Sequence, residues 1–246
     1  ESLKLINKDD ENIQFNYKNA YTYSLNNPAT FSTLAYSLNN GIDAILRTMD
    51  AEAEISSSMV GEFNLYNLIA AFCSVKLLTK KTNDEISKAL SNFAGVRGRM
   101  EVVSDEPRVI IDFAHTPDGM EKVLNALKNH KLIVVFGAGG DRDRLKRPLM
   151  AKMAEHFAYK IIVTSDNPRS EKPEDIIDDI MVGFENKERV LVEVDRKKAI
   201  EKALSLAKDG EYVVILGKGD EEYQEINGVK HPFSDKEVVK EILNEN

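Results

Sequence analysis

Hydrophobic spacing changes character near residue 100. From Val109 onward, near-continuous apolar runs alternate with more polar stretches: VIIDFA (109–114), LIVVFGA (132–138), KIIVTS (160–165), RVLVEVD (189–195) and YVVILGKG (212–219). Runs that lack alternation suit strands buried on both faces of a parallel sheet. Between them the spacing becomes helical. Met120, Val123, Leu124 and Leu127 share one helix face, as do Ile200, Ala203, Leu204 and Ala207. EKPEDIIDDIMVGF places Pro173 and acids at a helix start, followed by Ile176, Ile177, Ile180 and Phe184. A last helix is predicted around 235–243. Strands and helices alternating at this spacing predict a doubly wound α/β domain.

Residues 1–60 follow another pattern. AYTYSL (20–25), FSTLAYSL (31–38), DAILRT (43–48) and AEAEIS (51–56) are short and partly alternating, with NNP, NNG and MDA between them. This predicts an antiparallel meander. Residues 62–96 read as two helices, the first with Leu65, Leu68, Ile69 and Phe72 as its inward stripe. The first hundred residues offer a thin core and read as the tail of a larger domain.

Composition narrows the function classes. Hydrophobic residues make up 42% and charged residues 30%, the profile of a soluble globular chain. No apolar run approaches the ~20 residues of a membrane helix, and ESLKLINKDDEN is not a signal peptide. Cys73, the single cysteine, lies in the apolar LIAAFCSVKLL and reads as a buried structural thiol. One cysteine excludes an intramolecular disulfide and fits a reducing cytoplasm. A net charge of -8 argues against a broad nucleic-acid surface. An anionic ligand still fits wherever basic residues gather.

They gather where strands end. In open parallel sheets ligands bind beyond the carboxyl ends of the strands. Four of the five runs end in unusual polar groups: Asp112 and AHTPD, GAGGDRDRLKRP, SDNPRS and GKGDEEY. Each alone reads as a solvated loop; together they predict a cleft. Gly137, Gly139 and Gly140 match neither the dinucleotide fingerprint nor a P-loop. Arg142, Arg144, Lys146 and Arg147 form a basic cluster. Some of these are expected to pair with Asp141 and Asp143, leaving one or two for a ligand. In SDNPRS, Asp166 accepts, Asn167 both donates and accepts, and Arg169 donates through a fork. That set suits a zwitterion, most simply an amino acid; the plainer reading is an Asx turn with a surface arginine. His115, near Asp112 and Thr116, and Arg99 of GRME are further candidates.

GEFNLYNLIAA, GRME, DFAHTPDGMEKVL, FGAGGDRDRLKRPLM, TSDNPRSE and GKGDEEYQ, in this order, resemble the Mur ligases of peptidoglycan synthesis. The resemblance implies a Rossmann-like C-terminal domain over 99–246, preceded over 1–98 by the end of the central ATPase domain. It implies ATP-dependent amide ligation through an acyl phosphate, with UDP-N-acetylmuramoyl-L-alanyl-D-glutamate and an amino acid as substrates. Asn64, Asn67, Arg99, Asp112 and His115 would then serve ATP. Arg142, Asp166, Asn167, Arg169, Gly217 and Glu221 would hold the added amino acid. DNPR resembles members that add a diamino acid, meso-diaminopimelate or an analogue such as lanthionine, with Arg169 on the distal carboxylate. Asp220 stands where the family usually has His. No P-loop occurs in these residues, and the family's Mg2+-binding modified lysine would lie upstream. The expectation is therefore an inactive C-terminal piece of a cytoplasmic, monomeric enzyme, with no nucleic-acid or membrane partner.

Three other readings compete. VIIDFAHT has the strand-ending Asp of HAD-like phosphatases, but Ala114 stands where a second acid is needed. A non-catalytic amino-acid-binding domain would share the fold. Another Mur ligase or a folylpolyglutamate synthetase would share the family, and DNPR argues against these.

Overall fold

A computed structural model describes residues 3–13, 20–39 and 41–244. The chain divides into two compact units, Glu1–Ala94 and Gly95–Asn246, and each is taken by itself.

The first unit holds a sheet of β1 (Lys4–Asn7), β2 (Ala20–Ser24), β3 (Phe31–Ser37), β4 (Ile42–Arg47) and β5 (Glu52–Ser57), in that spatial order. Two helices follow, α1 (Glu62–Leu78) and α2 (Asn83–Ser91). The antiparallel meander expected of residues 1–60 is confined to β3–β4–β5; β1–β2 and β2–β3 run parallel. The loop after β2 accounts for the difference. Thr22 and Thr30 exchange hydrogen bonds between backbone N–H and hydroxyl, at 3.2 and 3.0 Å. They bring the start of β3 beside the end of β2, where only Tyr23–Phe31 and Ser24–Ser32 pair. Asn40 of the predicted NNG turn lies outside the described residues. Along β4 and β5 buried and exposed residues alternate strictly, as one covered face requires. Phe31, Ile42, Leu46 and Ile55 pack in one core with Leu65, Leu68, Ile69 and Phe72 of α1. Cys73 lies in the same core, and burial pushes its thiol up to about 12, an unreactive structural group. At α2, Thr82 and Glu85 form a reciprocal cap that satisfies two otherwise unpaired N–H groups.

The second unit is the doubly wound domain. Its strands are β6 (Glu101–Asp105), β7 (Arg108–Asp112), β8 (Lys131–Phe136), β9 (Lys160–Val163), β10 (Val190–Val192) and β11 (Glu211–Leu216). They are ordered β10-β9-β8-β11-β7-β6. All pairings are parallel except that of β6, which runs antiparallel on the edge. Helices α3 (Pro117–Ala126), α4 (Lys146–Phe157) and α5 (Pro173–Met181) pack side by side. Helix α6 (Arg196–Leu206) lies against β8, β9 and β11, and α7 (Asp235–Asn244) against α6 and β6. Val109, Ile111, Ile133, Val135, Val213 and Ile215 form a core with Ala199, Ile200 and Ala203. The intervening Ile110, Val134, Ile161 and Val214 are equally buried, so they face the opposite layer. Burial on both faces is what the unbroken apolar runs require. A small hairpin, β12 (Tyr223–Ile226) and β13 (Val229–Pro232), follows β11. Asn227 and Gly228, both with positive φ, form its turn.

Candidate functional site

Strand β11 enters between β7 and β8, so the ends of β7, β11, β8 and β9 stand in a row. Short contacts link the loops that leave them. Gly217 N–H donates to the Asp112 carbonyl, and Thr164 N–H to that of Phe136. Gly140 N–H donates to the Asn167 carbonyl at 2.9 Å. Gly140 cannot carry a side chain here, because a Cβ would overlap the Pro168 carbonyl. These contacts seat the loop from Gly137 to Arg142 on the loop from Thr164 to Arg169.

Arg142, Asn167, Arg169, Gly217 and Glu221 meet on this rim. A Cβ built at Gly139 would stand 2.8 Å from Arg169 Nη1 and 3.8 Å from Arg142 Cγ, so the two guanidinium side chains flank one glycine. Asn167 Nδ2 donates to Glu221 Oε2 at 2.8 Å. Its Oδ1 accepts from Glu225 N at 2.9 Å and from Lys218 Nζ at 3.1 Å. Asn167 is therefore held by residues more than fifty positions away, not by an Asx turn. Asp166 is buried, and its Oδ2 occupies the space a Gly217 side chain would need. Arg169 adopts a left-handed φ of 53°, uncommon for a non-glycine residue. Its backbone is pinned on both sides, N–H to the Glu225 carbonyl and carbonyl to Asn227 N–H. Its Nη1 donates to the Gly140 carbonyl at 2.8 Å and its Nε lies 3.3 Å from Glu225 Oε2, and Nη2 has no hydrogen bond among the described residues.

The basic cluster pairs differently from the sequence expectation. Arg144 binds Asp179 through Nε and Nη2. Arg147, fully buried, binds Glu171 and Asp179 and donates to the Gly139 carbonyl. Asp141 instead accepts from the Ser170 hydroxyl and N–H, and Asp143 from the Leu145 N–H. Residue spacing favoured the near acids; the helix packing of α4 on α5 supplies Asp179. Among the described residues Arg142 has no carboxylate within ion-pair distance and donates only to the Asp141 carbonyl. Lys146 donates to the His115 carbonyl at 3.0 Å. Burial draws its ammonium below the usual lysine range, opposed by the nearby Asp166 and Asp143 carboxylates.

Residues expected on the nucleotide side fall in both units. On α1, Asn64 is buried and donates to the Val60 carbonyl at 2.8 Å, whereas Asn67 is exposed and donates to Asn64 Oδ1 at 3.3 Å. In the second unit, Arg99 lies over the Phe113 ring at 4.7 Å, and the His115 ring packs edge-on against the same ring. Asp112 is turned inward: its oxygens accept Met100 N–H at 2.8 Å and Ala114 N–H at 2.7 Å. Burial raises its carboxyl above the ordinary value, against the pull of those two donors. A carboxylate so occupied is poorly placed to attack phosphorus, which counts against the HAD-like reading. Among the described residues no group of three or more His, Cys, Asp or Glu is arranged to hold a metal ion, and no helix is long and apolar enough to cross a membrane.

Residues 1–75 match the Mur ligase middle domain and residues 98–219 the Mur ligase glutamate ligase domain. The chain belongs to the Mur ligase family. It is 49% identical over 98% of its length to the UDP-N-acetylmuramoyl-L-alanyl-D-glutamate--2,6-diaminopimelate ligase of Helicobacter pylori, of which it covers 56%. Against the enzyme of that name from Aquifex aeolicus it is 54% identical, over 78% of this chain and 40% of the relative. A solved structure of such a ligase superposes with a TM-score of 0.76 at 36% identity, covering 99% of this chain and 53% of that one. The chain thus spans about half the length of the curated relatives it matches. Mur ligases as a family use ATP and Mg2+.

Reading the sequence alone passes over Lys218 and the hairpin residues Gln224 and Glu225 of this Mur ligase chain. Gln224 Nε2 donates to the Asp166 carbonyl at 2.7 Å, and Glu225 holds Arg169. The Asn-Gly pair at 227–228 was the signal for that hairpin.

Proposed function

We propose that this chain is the amino-acid-binding half of a ligase that joins a diamino acid to the D-glutamate of UDP-N-acetylmuramoyl-L-alanyl-D-glutamate. The added residue is meso-diaminopimelate or a close analogue such as lanthionine. ATP converts the D-glutamate carboxylate into an acyl phosphate. The amine of the diamino acid attacks that carbonyl carbon, and phosphate leaves. The reaction belongs to the cytoplasm, where nucleotide and UDP-linked substrate are found.

One observation carries the reading: Arg142, Asn167, Arg169 and Glu221 share one rim, in a chain close in sequence to ligases named for diaminopimelate. The two arginines offer donors to carboxylates. Glu221 Oε1, with no hydrogen bond among the described residues, offers an acceptor to an ammonium. For ATP, Asn67 offers an exposed amide, while Arg99 and His115 flank the Phe113 ring. Arg99 is suited to phosphate oxygens through its guanidinium fork. Asp112 supports that loop by holding Met100 and Ala114 N–H.

The test is steady-state kinetics on the full-length protein carrying this segment. Arg169→Ala should raise KM for meso-diaminopimelate about 10- to 100-fold, the worth of a hydrogen bond to a charged group. KM for ATP should stay within about twofold of the parent. Equal changes in both, or a preference for L-lysine over diaminopimelate in the parent, would overturn the reading.

A further inference from the structure

Lys218 is a fully buried ammonium in a domain whose other lysines mostly reach solvent. An unpaired buried charge is strongly unfavourable, so its contacts define its role. Gly217 and Gly219 flank it with φ of +115° and +56°, a backbone course that turns the lysine inward. Nζ lies 3.1 Å from Asn167 Oδ1 and 3.0 Å from Glu221 Oε2. The Tyr223 ring lies 5.7 Å away. Both polar partners are residues assigned above to the added amino acid, yet Lys218 itself cannot reach a ligand.

Two consequences follow from these contacts. The Asn167 amide has one workable orientation. Oδ1 faces two donors, Lys218 Nζ and Glu225 N. Flipping the amide would set its NH2 against an ammonium and an N–H, while its carbonyl met the Glu221 carboxylate. Glu221 is likewise fixed by one oxygen only. Its Oε2 takes both Lys218 and Asn167, which leaves Oε1 facing away from them.

We propose that Lys218 is a positioning residue of the amino-acid site. Its ammonium sets the rotamer of Glu221 and the amide direction of Asn167, so that Glu221 Oε1 and the second Nδ2–H of Asn167 face the incoming amino acid. It also offsets the charge of the half-buried Glu221 carboxylate. The inference rests on the proposed function and deepens it: the site recognises its ammonium through an acceptor oriented by a second, ligand-inaccessible ammonium.

Kinetics on the full-length protein test this with four variants. Lys218→Met removes the charge at similar length. It should raise KM for the diamino acid about 10- to 100-fold while KM for ATP and for the muramoyl dipeptide, and kcat, stay within about threefold. Glu221→Gln alone should raise the same KM. Adding Lys218→Met to Glu221→Gln should then cost less than about threefold more, since the pair acts as a unit. The double variant is electroneutral, so it serves as the comparison should K218M alone fail to fold. A K218M/E221Q protein with KM tenfold or more above E221Q would overturn the inference, as would an unchanged KM in folded K218M. Parallel loss of all kinetic parameters would reduce Lys218 to a packing role and overturn it as well. Arg169→Ala separates the two layers. If it still raises the diamino-acid KM while K218M does not, only the Lys218 inference fails; if neither does, the amino-acid site itself is misassigned.

Discussion

Replacing Asp235 with alanine isolates a buried charge at the same rim. Arg196 and Asp235 are both fully buried and joined by two hydrogen bonds, Nε–Oδ1 at 2.7 Å and Nη2–Oδ2 at 2.8 Å. The guanidinium also donates to the Leu216 carbonyl at 3.0 Å and the Ser165 carbonyl at 3.3 Å. In D235A the arginine keeps those two carbonyls but loses its counter-charge. Breaking one partner of a buried pair costs about 3–5 kcal/mol. Burial works against the arginine's charge, yet Asp235 foremost, then Asp166 and Glu221, keep it favoured. The last two survive the mutation, so the lower end, about 3 kcal/mol, is expected. In a domain of this size about 1 kcal/mol moves Tm by roughly 2–4 °C, so the drop should be about 6–12 °C. The assay is urea and thermal unfolding of the chain by circular dichroism, with the m-value checked for constancy. Arg196→Met with Asp235→Leu removes both charges and strands only two carbonyls, and should cost less than D235A alone. A loss below about 1 kcal/mol in D235A would refute the reasoning. So would a double variant at least as unstable as the single one.

Two further variants probe carboxylates with fixed partners. Asp9 collects Ser24 Oγ, Leu25 N–H, Asn27 Nδ2 and Tyr66 Oη at 2.6–2.9 Å. Asp9→Asn turns one oxygen into a donor that must face another donor, and should cost about 1–3 kcal/mol in the first unit by urea unfolding. Burial raises the Asp9 carboxyl, but its hydrogen bonds prevail and hold it at about 2, below its ordinary 3.8. Its contribution is therefore complete above pH 3.8 and fades as pH falls through 2. Glu211, at the opposite end of the second sheet, is held at about 2 by Lys131 and Tyr159, from an ordinary 4.5. Glu211→Gln should thus flatten the fall of stability between pH 4.5 and 2. A parent and an E211Q protein with parallel pH profiles in that window would contradict the assignment.

The central strands of the second unit, β7, β8, β9 and β11, were legible because they lie buried on both faces, and a doubly covered strand needs an unbroken apolar run. Their order was not. Nothing in YVVILGKG states that it inserts between the first and second strands; that follows from how α6 returns across the sheet. Strand β6, EVVSD, was missed because it sits on the edge with no fully buried residue. In the first unit β2 to β5 were readable and β1 was missed, and the parallel pairing of β2 with β3 depends on a loop held by Thr22 and Thr30, a reciprocal backbone-to-hydroxyl contact eight residues apart. At the candidate site, the loop residues stood out as polar groups after apolar runs. Their partners did not, because Glu225 reaches Arg169 only through a hairpin whose strands, YQEI and VKHP, carry little apolar pattern.

Charge was the least legible feature, and the structure gives a physical reason. Among the described residues three cations, Arg147, Arg196 and Lys218, are fully buried, and all lie by the strand ends that form the rim. Arg147 ties the Gly139 carbonyl to Glu171; Arg196 ties Ser165 to Leu216; Lys218 ties Asn167 to Glu221. Each links two different loops or strand ends that carry ligand candidates. A loop end has carbonyls without sheet partners, and a buried multidonor cation can satisfy several of them at once. The exposed Arg142 and the remaining Nη2 of Arg169 keep donors without an acid partner among the described residues. In sequence both kinds of cation look alike, because helix starts and loops are where solvated Lys and Arg ordinarily sit. What separates them is the partner: the buried cations are bound to acids and carbonyls of the protein itself. The rim's basic character therefore rests on a few unsatisfied donors held in place by many satisfied ones, which is how a chain with a net charge of -8 can still carry a locally basic patch suited to the anionic group proposed above.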